Sequence, residues 1–209
     1  MAARVRASAI VIGVAIGVGA PAYASSSADE LVRQARSHEA AHEEDVAARR
    51  YTEALTIDPL HADAWMGLGD LRVKLGEAPE AERVYSAAIE RIPSLWVARS
   101  RRAHVRWGLG RHADAEQDLE AYADAKGEAA AYRELAGWFG DDGRVPAQLA
   151  TWRHLLSMAT HTGDAPAAKE AERMVRALVV LADGADPAAS PTDTDETRRG
   201  LARMAARAR

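Results

Sequence analysis

The chain holds 209 residues with 27 Lys and Arg against 31 Asp and Glu, a net charge of −4, and no cysteine. The absence of cysteine excludes a disulfide scaffold and any thiolate metal or redox site. The acidic balance argues against nucleic acid as a partner of the main body. Lysine occurs only at Lys74, Lys126 and Lys169, so 24 of the 27 basic residues are arginine, a bias expected of a GC-rich and hence bacterial coding sequence.

Residues 1–24 read as an export signal. Arg4 and Arg6 precede an apolar run from Ala9 to Ala20, and Ala22-Tyr23-Ala24 supplies a small-x-small cleavage string. The run is too short for an ordinary membrane span. Cleavage after Ala24 is expected to leave a chain starting at Ser25, in the periplasm or outside the cell, with net charge −6 once Arg4 and Arg6 are lost (−4 − 2). Ser27-Ala28-Asp29-Glu30 then reads as a capping box opening the first helix.

Within that first helix stands His38-Glu39-Ala40-Ala41-His42. On a helix this string sets two imidazoles one turn apart, where both can reach a zinc ion whose bound water the glutamate activates. The longer protease signature would need Gly at Asp45 and His at Ala48, and Arg36, Glu43 and Glu44 charge the surroundings. The string is expected to be structural, with a small zinc-dependent hydrolase as the alternative.

A periodic pattern organises the rest. Trp65, Leu68-Gly69, Ala81, Tyr85, Ala88 and Pro93 form a W-x2-L-G … A-x3-aromatic-x2-A … P unit. Ala64, Trp65, Leu68, Leu71 and Leu75 fall on one helical face. Gly76 suits a helix stop, and Pro79 suits the first turn of the next helix. Thirty-four residues earlier, Ala47, Tyr51, Ala54 and Pro59 repeat the second half, while Leu31 and Gln34-Ala35 replace the Trp and Leu-Gly. Thirty-four residues later come Leu109-Gly110, Ala115, Leu119 and Tyr122, with Arg99 and Arg102 in place of Trp65 and Leu68. Arg102 is expected to pair with Asp118 across that hairpin. A fourth copy, one residue shorter, carries Tyr132, Leu135-Ala136, Phe139, Gly143, Pro146, Trp152 and Leu155. Ala168, Ala171, Val175, Leu178 and Val179 then mark one more amphipathic helix, suited to cover the last apolar face.

These units resemble the tetratricopeptide repeat. The resemblance implies an all-α, right-handed superhelical solenoid of about four helix-turn-helix repeats (about 28–61, 62–95, 96–128 and 129–160) with a capping helix at 163–183. It implies an interaction scaffold or adaptor and not an enzyme, with no cofactor, which holds a peptide or partner helix in a groove lined by the first helix of each pair. By that resemblance Arg36, Glu39, Asp63, Met66, Asp70, Lys74, His104, Trp107 and Arg133 face the partner. Of the positions with which some family members clamp a C-terminal carboxylate, Val32, Arg36 and Gly67 depart and Arg101 is retained, so chaperone tails are not the expected ligand.

No phosphate loop or nucleophile elbow occurs, and Gly67-Leu68-Gly69 lies within a helix where no dinucleotide would sit. Asp193 to Glu196 lacks the glycine and ligand spacing of a calcium loop. Residues 184–195 read as a Pro-containing linker. Residues 196–209 hold five Arg and one Glu, with Leu201, Met204, Ala205 and Ala208 on one face if helical. They are expected to be a frayed end or a helix folded back on the body, with docking to an anionic membrane as the alternative.

Overall fold

The computed structural model describes residues 20–182, with side chains from Ser27 to Leu181. The expected linker and basic C-terminal segment lie outside the described residues, as does the signal reading up to residue 19. Within them run nine α-helices and no strand: α1 (Ala20–Ala40), α2 (Glu44–Ile57), α3 (Ala62–Lys74), α4 (Ala78–Arg91), α5 (Trp96–Gly108), α6 (His112–Lys126), α7 (Ala129–Asp141), α8 (Val145–Thr162) and α9 (Ala165–Ala182). The fold is an all-α helical repeat. Since α1 already runs through Ser27, that residue stands inside the helix and not at its start, where the capping box was expected.

The turn inside each hairpin has one solution. The amide of the residue after the turn bonds a carbonyl five residues back: Glu43 to His38, Glu77 to Arg72, Arg111 to Arg106 and Arg144 to Phe139, all at 2.8–2.9 Å. This helix stop needs a left-handed residue just before that amide. Gly76, Gly110 and Gly143 supply it at φ 66–74°, and His42 supplies it in the first hairpin at φ 59°.

The chain divides into two compact units, residues 1–71 and 72–209. In the first, α1 contributes Ala28, Val32 and Ala35, α2 contributes Ala47, Tyr51 and Ala54, and α3 contributes Ala64, Leu68 and Leu71 to the buried set. The fully buried Tyr51 ring lies against Gly67, where a Cβ would come within 2.4 Å of Tyr51 Cε1 and Cζ. Trp65, on the apolar face read from the sequence, is only half-buried, and its indole N–H donates to the Pro59 carbonyl at 2.9 Å. Burying an indole requires a partner for that N–H, and the bond holds the ring at the edge of the unit.

In the second unit an apolar core runs from Ala103, Ala115 and Leu119 through Tyr132, Leu135 and Trp138 to Trp152, Leu155, Ala171 and Leu178. Before it, along α5, arginines replace the apolar seam. Arg102 donates twice to Asp118, Nε to Oδ2 and Nη2 to Oδ1, both at 2.7 Å, and also reaches the Ser86 hydroxyl at 3.0 Å. Arg106 bonds Asp118 and Glu82, each at 2.8 Å, and Arg111 also reaches Glu82. The expected Arg102–Asp118 pair is therefore the centre of a network joining α4, α5 and α6. Asp118 is 3% exposed, so its charge is tolerable only because the guanidinium groups of Arg102 and Arg106, with Arg99 at 3.7 Å, surround it.

Three consequences are measurable by urea or thermal unfolding. Asp118→Ala leaves Arg102 and Arg106 without their shared carboxylate and should cost about 3–5 kcal/mol. Gly67→Ala should destabilise by about 1–3 kcal/mol, because the buried Tyr51 cannot retreat. Gly137→Ala, where the new Cβ meets nothing within 4 Å, should instead stabilise by about 0.5–1 kcal/mol, the ordinary helix preference for alanine.

Candidate functional site

The histidine string does not take the helical form that the zinc reading requires. Helix α1 ends at Ala40, and His42 sits beyond it in the left-handed turn, 83% exposed, so the two imidazoles do not share a helical face. His38 is otherwise engaged: its Nδ1 meets Glu43 Oε2 at 2.5 Å. One repeat later Arg72 and Glu77 make the same contact at 2.6 Å. His38 and Glu43 thus reinforce the helix stop, and Glu39 turns to Tyr51. Among the described residues no group of three metal-capable side chains occurs.

A polar face forms in each unit, along the odd-numbered helices. In the first, Arg36 of α1 donates to Asp63 of α3 at 2.8 Å, and His61, just before α3, meets Asp29 of α1 at 2.9 Å. Burial first, and then its hydrogen bond to the Glu39 carboxylate, hold the Tyr51 hydroxyl protonated well above the ordinary phenol range. Glu39, Tyr51, Arg36 and Asp63 therefore stand together. Met66 is half-buried and Asp70 exposed on the same helix as Asp63.

In the second unit, His104 of α5 meets Glu134 of α7 at 2.7 Å, and Arg133 of α7 donates to Glu170 of α9 at 2.7 Å. Trp107 is half-buried between two rings. It stacks on Trp138 at 4.5 Å and on His112 at 4.0 Å. Lys74 lies exposed at the end of α3. Of the nine residues expected to face a partner, Arg36, Glu39 and Asp63 come together in the first unit. His104 and Trp107 both border Trp138 in the second. Trp107 also packs on the core, which limits what a partner could take from it.

Sequence reasoning missed Glu134, Glu170, Trp138 and the role of Gly67. A signal for the acidic partners exists in the repeat: within each unit the first helices of neighbouring hairpins are bridged, α1 to α3 and α5 to α7, from a basic residue on the earlier to an acid on the later. Arg36 with Asp63 and His104 with Glu134 both follow that rule.

The zinc alternative and the turn make opposite forecasts for one variant. His42→Gly removes a side chain from a left-handed position that costs about 1–2 kcal/mol for other residues, so it should leave the protein equally or more stable, by up to about 1 kcal/mol in urea unfolding. A loss of stability, or stoichiometric zinc in the wild type that disappears in the variant, would restore the metal reading.

Comparison with known proteins agrees with this architecture. Residues 29–95 match the family model of the tetratricopeptide repeat. Among solved structures, a crystal structure of MamA is similar with a TM-score of 0.56 at 17% identity, covering 66% of this chain and 81% of that one. MamA from Desulfovibrio magneticus RS-1, residues 41 to its end, gives a TM-score of 0.54 at 18% identity over 73% of this chain and 94% of its own. The first repeat domain of Spaghetti (RPAP3), solved with the HSP90 peptide SRMEEVD, gives 0.52 at 22% identity over 57% and 95%. No curated protein matches the sequence. Residues 29–95 thus match the tetratricopeptide repeat, the same hairpin turn recurs as far as α8, and the likeness to solved structures is one of all-α helical-repeat fold.

Proposed function

We propose that the protein is a non-enzymatic scaffold whose odd-numbered helices take up a protein or peptide partner, α1 and α3 in the first unit and α5, α7 and α9 in the second. The observation that carries this reading is the chemistry of those faces. Of their cross-helix pairs, Arg36–Asp63 and His104–Glu134 are exposed and Arg133–Glu170 is about one-third exposed. Exposed pairs of this kind contribute roughly 0–1 kcal/mol each, so a partner can exchange them for its own contacts at little cost. The buried Asp118 network is the opposite case and stays structural.

The fold likeness to the RPAP3 domain does not extend to its ligand. Val32 is buried and Gly67 lies under Tyr51, so neither stands ready to hold a terminal carboxylate. Export through residues 1–24 is part of the same reading and rests on the sequence: Arg4 and Arg6, the apolar run and Ala22-Tyr23-Ala24. A chain recovered from its native cell envelope is expected to begin at Ser25. The basic end at 196–209 is left as an accessory whose deletion should not abolish partner binding.

Charge reversal separates the faces. Arg36→Glu and Arg133→Glu, each with unchanged circular dichroism, should reduce partner recovery from the native envelope by about tenfold or more, as hot-spot changes do. Arg83→Glu, on the exposed side of α4, should leave it unchanged. Equal recovery by all three variants would place the binding surface elsewhere.

A further inference from the structure

Two histidines bracket a tryptophan pair where the third hairpin meets α7. The His112 ring stacks on Trp107 at 4.0 Å and 16°, Trp107 stacks on Trp138 at 4.5 Å and 13°, and His104 meets Trp138 edge-on at 5.8 Å and 81°. Each histidine also faces a carboxylate from α7 or its end. His104 Nε2 lies 2.7 Å from Glu134 Oε1, and His112 Nδ1 lies 3.3 Å from Asp142 Oδ2. We propose that this contact is a proton-operated clasp, tight when His104 is charged and loosened when it is neutral.

The hydrogen-bond count at His104 decides the direction. Its Nδ1 lies 2.6 Å from the Ser100 carbonyl while Nε2 faces Glu134. Both neighbours are acceptors, and a neutral imidazole has one N–H. Only the imidazolium satisfies both, so loss of the proton leaves a lone pair against an oxygen. His112, stacked on the far face of Trp107 and facing Asp142, completes the packing of the ring pair.

The surrounding charges agree. Around His104 stand Glu134 on α7 and Arg101 on α5, the latter opposing protonation. Around His112, Asp142 ends α7, Glu116 one turn along α6 is bonded by Arg144, and Arg111 is held by Glu82 and Asp114. The hydrogen bond to Glu134 is the largest influence on His104 and outweighs burial, so its pKa stands above 6.5. A pKa raised by folding contributes stability that is complete below about 6.5, the unfolded value, and is lost as pH climbs through the folded one. The clasp therefore closes toward pH 6 and relaxes on the alkaline side.

Amide hydrogen exchange of the full chain at pH 6.0 and 8.5, corrected for intrinsic rates, tests this, since carboxylates are ionised at both values. Protection of α7 should be higher at pH 6.0, about tenfold for each unit separating the folded and unfolded pKa. The ratio should fall to about one in a His104→Gln, His112→Gln double variant and drop partway in Glu134→Gln. Equal α7 protection at both pH values in the wild type, or full pH dependence in the double variant, would overturn the proposal. If the double variant does not fold, the His104 imidazole titration followed by NMR in the wild type decides: a midpoint above 6.5 sustains the clasp, and one at or below 6.5 ends it.

Discussion

Close approach of helices is the constraint on which the rest of the structure depends. Ala47, Ala81 and Ala115, and likewise Ala54 and Ala88, recur 34 residues apart and are wholly buried. A larger side chain at such a position would push neighbouring helices apart, and packed interiors tolerate little of that. Once the small residues fix the spacing, the large ones have defined slots. Tyr51 fills one beside Gly67, and Leu119 and Leu155 fill others in the second unit. The hairpin turn then sets where each second helix begins.

The repeat phase was legible in the sequence because spacing encodes it. Gly76, Gly110 and Gly143 mark the turns, the buried alanines mark the contacts, and Pro79 enters α4 in its first turn. The Arg102–Asp118 pair was legible for the same reason, since both residues sit at fixed places in one hairpin. The capping box was misread because a local motif says where a helix can start, not whether it has started already. His38 and His42 looked like a pair because a string of letters carries no φ angle. Without Gly at position 42, nothing in the composition announces a left-handed turn.

The polar faces were legible only in outline. Helix assignment puts Arg36, His104 and Arg133 on the right elements. Their partners depend on the lateral offset between successive first helices, a tertiary quantity with no signature in any one segment. The tryptophan stack shows the difference. Trp107 was expected to face a partner, but Trp138 and His112 converge on it from two other helices. Aromatic rings gain from stacking with each other, so a ring that periodicity turns outward can still find neighbours.

The arginine network on α5 gives the third hairpin an obligation the second does not share. Its guanidinium groups draw on Glu82 and Ser86 from the preceding helix as well as on Asp118 from their own hairpin. Repeat proteins are often treated as strings of interchangeable beads, to be lengthened, shortened or shuffled at will. Here that freedom stops at one joint. Anyone transplanting helices α5 and α6 into another array must bring along an acid and a hydroxyl from the neighbour upstream, or leave arginines stranded at the new junction.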